Sequence, residues 1–179
     1  MLKVEKTIDS KRIFQGKMIH LRVDKVQLPD GKIATREIIE HPGAVAVVPI
    51  TEDNRIIMVR QYRKPAEDFL LEIPAGKLDE NEKPEFCAHR ELKEETGFVS
   101  GKLEHLCSFF TTPGFSNEIL HLYIAEELVE GIAKPDEDEY LSVESYPIEE
   151  LLDMIFRSQI VDSKTIIGIF AAKEILSKR

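Results

Sequence analysis

Apolar and polar positions alternate along the first forty residues in short stretches, so this part of the chain reads as strands. Ile8 to Phe14 and Met18 to Leu28 flank a Gln15-Gly16 break. Pro29-Asp30-Gly31 is a turn signal, and Ile33 to Glu40 resumes the strand pattern before His41-Pro42-Gly43 ends it. Ala44 to Ile50 is almost wholly apolar, as expected of a buried strand. Glu52-Asp53-Asn54 turns the chain into another strand, Arg55 to Tyr62, and Phe69 to Ile73 gives a further one. Strand patterns return at Leu103 to Phe110, Glu118 to Ala125 and Leu141 to Tyr146. The period then changes to that of helices over Ile148 to Ser158 and Ser163 to Lys178. The expected division is a β-rich appendage over residues 1–42, too small to bury a core of its own, and a main domain over 43–179.

One stretch breaks the plain alternation of apolar and polar residues. From Pro84, suited to a first helical position, to Gly97, suited to a C-terminal cap, the sequence predicts a helix. At 3.6 residues per turn, Glu91, Glu94 and Glu95 share one stripe of it. Like charges at such spacing repel, by up to about 4 kcal/mol per pair at 4 Å and a surface-like dielectric. An acidic helix face is ordinarily just solvated. Here the stripe continues from Cys87 and Ala88, small residues prone to burial, while His89, Lys93 and Glu85 take the other side. A hard divalent cation would turn the repulsion into attraction. Arg90, one turn before Glu94, can pair with it and orient it.

The residues Gly76, Glu82, Arg90, Glu91, Leu92, Glu94, Glu95, Gly97 and Phe98 stand in the register G-x5-E-x7-R-E-U-x-E-E-x-G-U, where U is bulky and apolar. This resembles the box of the Nudix hydrolases. The resemblance implies an α+β fold, a mixed β-sheet sandwiched between α-helices, with the box forming loop, helix and loop. It implies hydrolysis of a nucleoside diphosphate linked to a further group X. Glu91 and Glu95, often with Glu94, would hold Mg²⁺ (or Mn²⁺), and the Ala75 carbonyl would be a further ligand. Gly76 suits a backbone that comes close to the metal. By the same resemblance Glu82 and Arg90 tie loop to helix.

The net charge of −9 argues against nonspecific nucleic-acid binding but not against a small anionic substrate met by metal ions and a few arginines. Cys87 and Cys107 have no metal or redox spacing, and no apolar run is long enough to span a membrane, so a cytoplasmic protein is expected.

The box defines a reaction class, and substrate choice must come from elsewhere. The stretches Arg36 to Val45, Gln61-Tyr62-Arg63, Leu71 to Gly76 and Pro113 to Glu118 together resemble the ADP-ribose pyrophosphatase branch of the family. That resemblance implies a homodimer exchanging its N-terminal strands and cleavage of ADP-ribose to AMP and ribose 5-phosphate. Arg36, Arg63, Glu72 and Glu118 match the substrate-binding positions. The water-activating base would come from the acidic stretch Asp136-Glu137-Asp138-Glu139, with Glu137 the first candidate and Glu139 the second. Other substrates of the class stay open, among them GDP-mannose and nicotinamide dinucleotides, as does a silent nucleotide-binding regulator.

Overall fold

The computed structural model describes residues 3–134 and 140–178. It is α+β, with ten strands and three helices among the described residues, and it divides into two compact units.

The smaller unit comprises Met1–Gly43 and Phe109–Ile119. Its sheet is an antiparallel meander of β1 (Lys6–Gln15), β2 (His20–Gln27) and β3 (Ile33–Glu40), in that spatial order. The β2–β3 turn closes through Gly31, whose N–H donates to the Leu28 carbonyl at 2.9 Å. Every residue of β1 is exposed. Ile8, Ile13, Phe14, Met18 and Ile33 are each at least half exposed, so this sheet leaves apolar surface uncovered within the chain.

The larger unit holds the core. Strands β4 (Ala44–Pro49), β7 (Ala75–Lys77), β8 (Val99–Phe110) and β9 (Ile119–Val129) form a mixed sheet in the order β7-β4-β9-β8. Its β4 runs parallel to β9 and antiparallel to β7. Strands β5 (Arg55–Arg63), β6 (Asp68–Glu72) and β10 (Leu141–Pro147) form an antiparallel sheet in the order β10-β5-β6. Helix α1 (Pro84–Thr96) packs Cys87, Ala88 and Leu92 against Val45, Val47, Tyr123 and Ala125 of the mixed sheet. Helix α3 (Ser163–Leu176) packs against β4 on another side, where Gly168 lies close to Val48, Ile73 and Leu122. Helix α2 (Ile148–Phe156) follows β10 directly and packs on α3.

The mixed sheet between helices agrees with the expected fold class. Boundaries moved where backbone pairing outlasts side-chain alternation: β8 begins four residues earlier than its apolar pattern, and β9 runs on to Val129. Strand β7 carried no pattern at all, being three residues held by β4. Helix α2 ends before Ser158, which takes a φ of 57°.

Candidate active site

Helix α1 sets the site. Pro84 starts it and Gly97 ends it, with a φ of 79° and its N–H donating to the Lys93 carbonyl at 2.9 Å. Only glycine takes that conformation without strain, and a Cβ there would also lie 2.8 Å from the Ala133 nitrogen. Between these caps, the helix buries the side that carries Cys87, Ala88, Glu91, Leu92, Glu95 and Thr96. Two carboxylates are therefore carried under the helix: Glu95 is 1% exposed and Glu91 9%.

The segment leading into α1 receives them. Val47 N–H donates to the Pro74 carbonyl at 2.9 Å, and β7 pairs Gly76 with Val45. Ala75 N–H donates to Glu95 Oε2 at 3.1 Å. A Cβ on Gly76 would fall 1.9 Å from Glu91 Cδ, so the Glu91 carboxylate occupies the space an alanine would need. The glycine of the box thus seats a carboxylate against the backbone.

Arg90 organises the remaining acids. Its Nε and Nη2 donate to the two oxygens of Glu82 at 2.9 and 2.8 Å. Its Nη1 donates to Glu91 Oε1 at 2.6 Å and Glu94 Oε2 at 3.0 Å. Glu82 also accepts from the Asp79 N–H at 3.1 Å, which ties the loop before the helix to the helix. The guanidinium holds the Glu82 carboxyl down to about 2, while the Glu82 bond pushes Arg90 above its ordinary range. The Cys87 thiol is pushed up by burial and is no nucleophile.

Among the described residues, no three His, Cys, Asp or Glu side chains converge as a ready-made metal-ligand set. The donor chemistry nevertheless fits a hard divalent cation. Two buried carboxylates and the Ala75–Gly76 backbone lie together, with Glu94, partly exposed, on the same guanidinium. Arg90 supplies the balancing charge in this arrangement. On the open side of α1, a cavity of about 530 Å³ is lined by Arg90, Lys93, Glu94, Ile132 and Lys134.

Arg63 and Glu72 come together on adjacent strands. Arg63 donates through Nε and Nη2 to the two Glu72 oxygens, each at 2.8 Å. Glu72 is 1% exposed. Burial pulls its carboxyl up, but Arg63 and Lys164 outweigh burial and leave it below the usual carboxylate range. No pattern in the sequence points to this second cation. Lys164 Nζ donates to Glu72 and pairs with Asp162 at 3.0 Å. Asp162 caps α3 by accepting from Thr165 N–H at 2.9 Å, and Thr165 Oγ1 accepts from Ile73 N–H at 3.0 Å. The start of α3 therefore clamps the strand end that leads to the box. An Asp-x-x-Thr sequence before an apolar helix was the one local signal available.

Arg36 and Glu118 belong to the smaller unit. Arg36 pairs with Glu5, its Nε 3.0 Å from the carboxylate. Glu118 accepts from Thr111 Oγ1 at 2.5 Å and lies 3.4 Å from His41 Nδ1. Glu137 and Glu139 lie outside the described residues.

The NUDIX domain model matches residues 40–166, and the model described as nucleoside diphosphate sugar hydrolase N-terminal domain matches residues 5–39. The chain belongs to the Nudix family. It is 50% identical over 167 residues to the methanol dehydrogenase activator of Bacillus methanolicus, spanning 92% of this chain and 90% of that protein. It is 48% identical over 167 residues to the ADP-ribose pyrophosphatase of Bacillus subtilis (strain 168), with the same two coverages. The crystal structure of an ADP compounds hydrolase superposes with a TM-score of 0.88 at 22% identity, covering 99% of this chain and 97% of that one, a likeness of fold.

Proposed function

We propose that this chain is a divalent-metal-dependent hydrolase that cleaves ADP-ribose to AMP and ribose 5-phosphate. The observation that carries the reading is the seating of Glu91 and Glu95 against the Ala75–Gly76 backbone beneath α1. The similarity to the B. subtilis ADP-ribose pyrophosphatase supports the substrate.

Glu91 and Glu95, with Glu94 and the Ala75 carbonyl, would hold Mg²⁺, with Mn²⁺ as a substitute. Bound there, divalent ions would supply charge neutralisation for the pyrophosphate and would make a water more acidic. Arg90 holds Glu91 and Glu94 in place and keeps the α1 carboxylates from repelling one another. Glu82 fixes Arg90 and plays a structural part. Arg63, held by Glu72, keeps a fixed positive charge near Glu95, suited to a nucleotide. Arg36 and Glu118 are the further substrate contacts. Glu137, with Glu139 as the alternative, is the proposed base that takes the proton of the attacking water. The active form is a homodimer with exchanged N-terminal strands, working in the cytoplasm. It needs no nucleic acid or membrane as partner, and no helix among the described residues is long and apolar enough to cross a membrane.

The deciding experiment is a panel of ADP-ribose, GDP-mannose and a nicotinamide dinucleotide assayed with Mg²⁺ and analysed for products. ADP-ribose should have the highest kcat/KM and yield AMP and ribose 5-phosphate; a higher value for either rival replaces the substrate. Glu95→Gln should lower turnover about a thousandfold, about 4 kcal/mol, with folding retained by circular dichroism.

The likeness to the B. methanolicus activator supports a second reading, in which this chain raises the turnover of a methanol dehydrogenase. Adding wild type and Glu95→Gln to that dehydrogenase separates the two: stimulation by both would mean binding, and by wild type alone, hydrolysis.

A further inference from the structure

The α1 face of the mixed sheet carries a polar cluster that the box does not use. His105 Nε2 and His121 Nδ1 both lie 2.8 Å from Ser108 Oγ. The Tyr123 ring meets His105 edge-on, with centroids 5.3 Å apart. Strand pairing puts Gly76, Val45 and His121 in one cross-strand row. Val45 and Tyr123 pack toward α1, so His121, two residues from Tyr123 on the same strand, faces that way too. His121 thus stands two strand spacings, roughly 10 Å, from the glycine beneath Glu91. All three polar residues of the cluster can be reached from solvent.

The hydrogen bonding of the cluster limits what it can recognise. A serine hydroxyl has one proton, so it donates to one imidazole and accepts N–H from the other. The two remaining ring nitrogens, His105 Nδ1 and His121 Nε2, are then one donor and one acceptor. Reversing the chain of bonds exchanges the two roles without changing their sum. One donor beside one acceptor complements a sugar hydroxyl pair, whose members each give and take a hydrogen bond. It complements the bridging pyrophosphate poorly, since the oxygens of a doubly esterified pyrophosphate only accept at neutral pH. Burial, and then the neighbouring His105, lower the His121 pKa and favour the neutral ring that this scheme requires.

We propose that His105, Ser108 and His121 form a diol-binding subsite that takes the sugar of group X, the ribose released as ribose 5-phosphate. The inference rests on the proposed ADP-ribose hydrolysis for its ligand and adds the residues that select it. The row places His121, the near edge of this subsite, roughly 10 Å from the glycine that seats Glu91, with His105 and Ser108 one strand further out.

Two measurements test it. In the first, imidazole resonances of the wild-type protein are followed by NMR during titration with ribose 5-phosphate and, separately, inorganic phosphate. Both His105 and His121 should shift with the sugar phosphate alone. No shift, or equal shifts with phosphate, overturns the subsite whatever the enzyme hydrolyses. In the second, Ser108→Ala and His121→Phe are assayed with ADP-ribose and with the β-methyl ester of ADP, whose group X has no diol. KM for ADP-ribose should rise about tenfold with kcat within threefold, and the methyl ester should be unaffected. Equal losses on both substrates, or no loss on either, overturn it. Wild type inactive toward both substrates would instead remove the proposed reaction and leave the NMR titration to judge the subsite. Thermal unfolding checks that both variants fold, and Ser108→Ala is the milder change.

Discussion

Two side chains and one missing side chain decide how the site behaves. Gly76 leaves room for the Glu91 carboxylate, which a Cβ would approach to 1.9 Å. Gly76→Ala should therefore push Glu91 aside while the rest of α1, held by Leu92 and Ala88, stays put. Misplacement on this scale should lower kcat/KM about a hundredfold, with the urea midpoint little changed. Steady-state kinetics and denaturant titration on one preparation give both numbers. Glu82 offers a second test at this scale. Its carboxyl is held down to about 2 by Arg90, below the unfolded value of about 4.3. A depressed carboxylate adds stability that is complete above the unfolded pKa and drains away as pH falls through the folded one. Stability should thus fall between pH 5 and pH 2, with about 1–2 kcal/mol of the loss belonging to Glu82 once solvent screening is allowed for. Urea unfolding of Glu82→Gln across that range should show a shallower slope; an unchanged slope would assign the acid sensitivity elsewhere.

Elements carry these residues, and the sequence revealed them unevenly. Helix α1 was readable in full, because Pro84, Gly97 and the apolar spacing of Ala88 and Leu92 all act within the helix itself. The burial of Glu91 and Glu95 could also be anticipated, since the wheel puts them beside Cys87 and Ala88. Strand β7 was not readable, because three residues show no period and its hydrogen bonds come from β4. The Glu72–Lys164 pair was equally hidden: 92 positions separate its members, and neither has a local reason to seek the other. Its energetics can be measured. Lys164 is largely buried, on Glu72 and Asp162, and shares Glu72 with the partly exposed Arg63. Removing one member of such a buried set leaves charge less well compensated, which costs about 3 kcal/mol. Lys164→Met should lose about that much by urea unfolding. It should also loosen the strand end at Ile73, whose N–H rests on Thr165 in the same turn of α3. Hydrogen exchange at Ile73 should quicken more than at Leu92, which α1 protects independently; equal protection at both would show that α3 does not steady the approach to the box.

At the scale of the whole molecule, the question is what covers the N-terminal sheet. A three-stranded sheet keeps itself folded by burying one face, yet all of β1 is exposed within a single chain, and Ile8, Ile13 and Phe14 are at least half so. Surface of this kind favours association, and a second copy of the same chain is the simplest partner because a two-fold interface is satisfied by one sequence. The proposed exchange of N-terminal strands makes folding and assembly one event, so stability should depend on protein concentration. Sedimentation should give twice the chain mass at micromolar concentration, and the thermal midpoint should rise with concentration. Charges introduced at the exposed apolar positions, Ile8→Asp with Ile13→Asp, should shift the protein toward monomer and lower its thermal midpoint. They leave Glu91, Glu95 and the box untouched, so residual hydrolysis in the monomer reports what one chain can do alone. If Arg36 reaches substrate from the exchanged sheet, KM should rise on dissociation while the carboxylates keep their chemistry. A monomeric wild type with an unaltered midpoint across a hundredfold range of concentration would instead mean that the exposed strand serves some other partner.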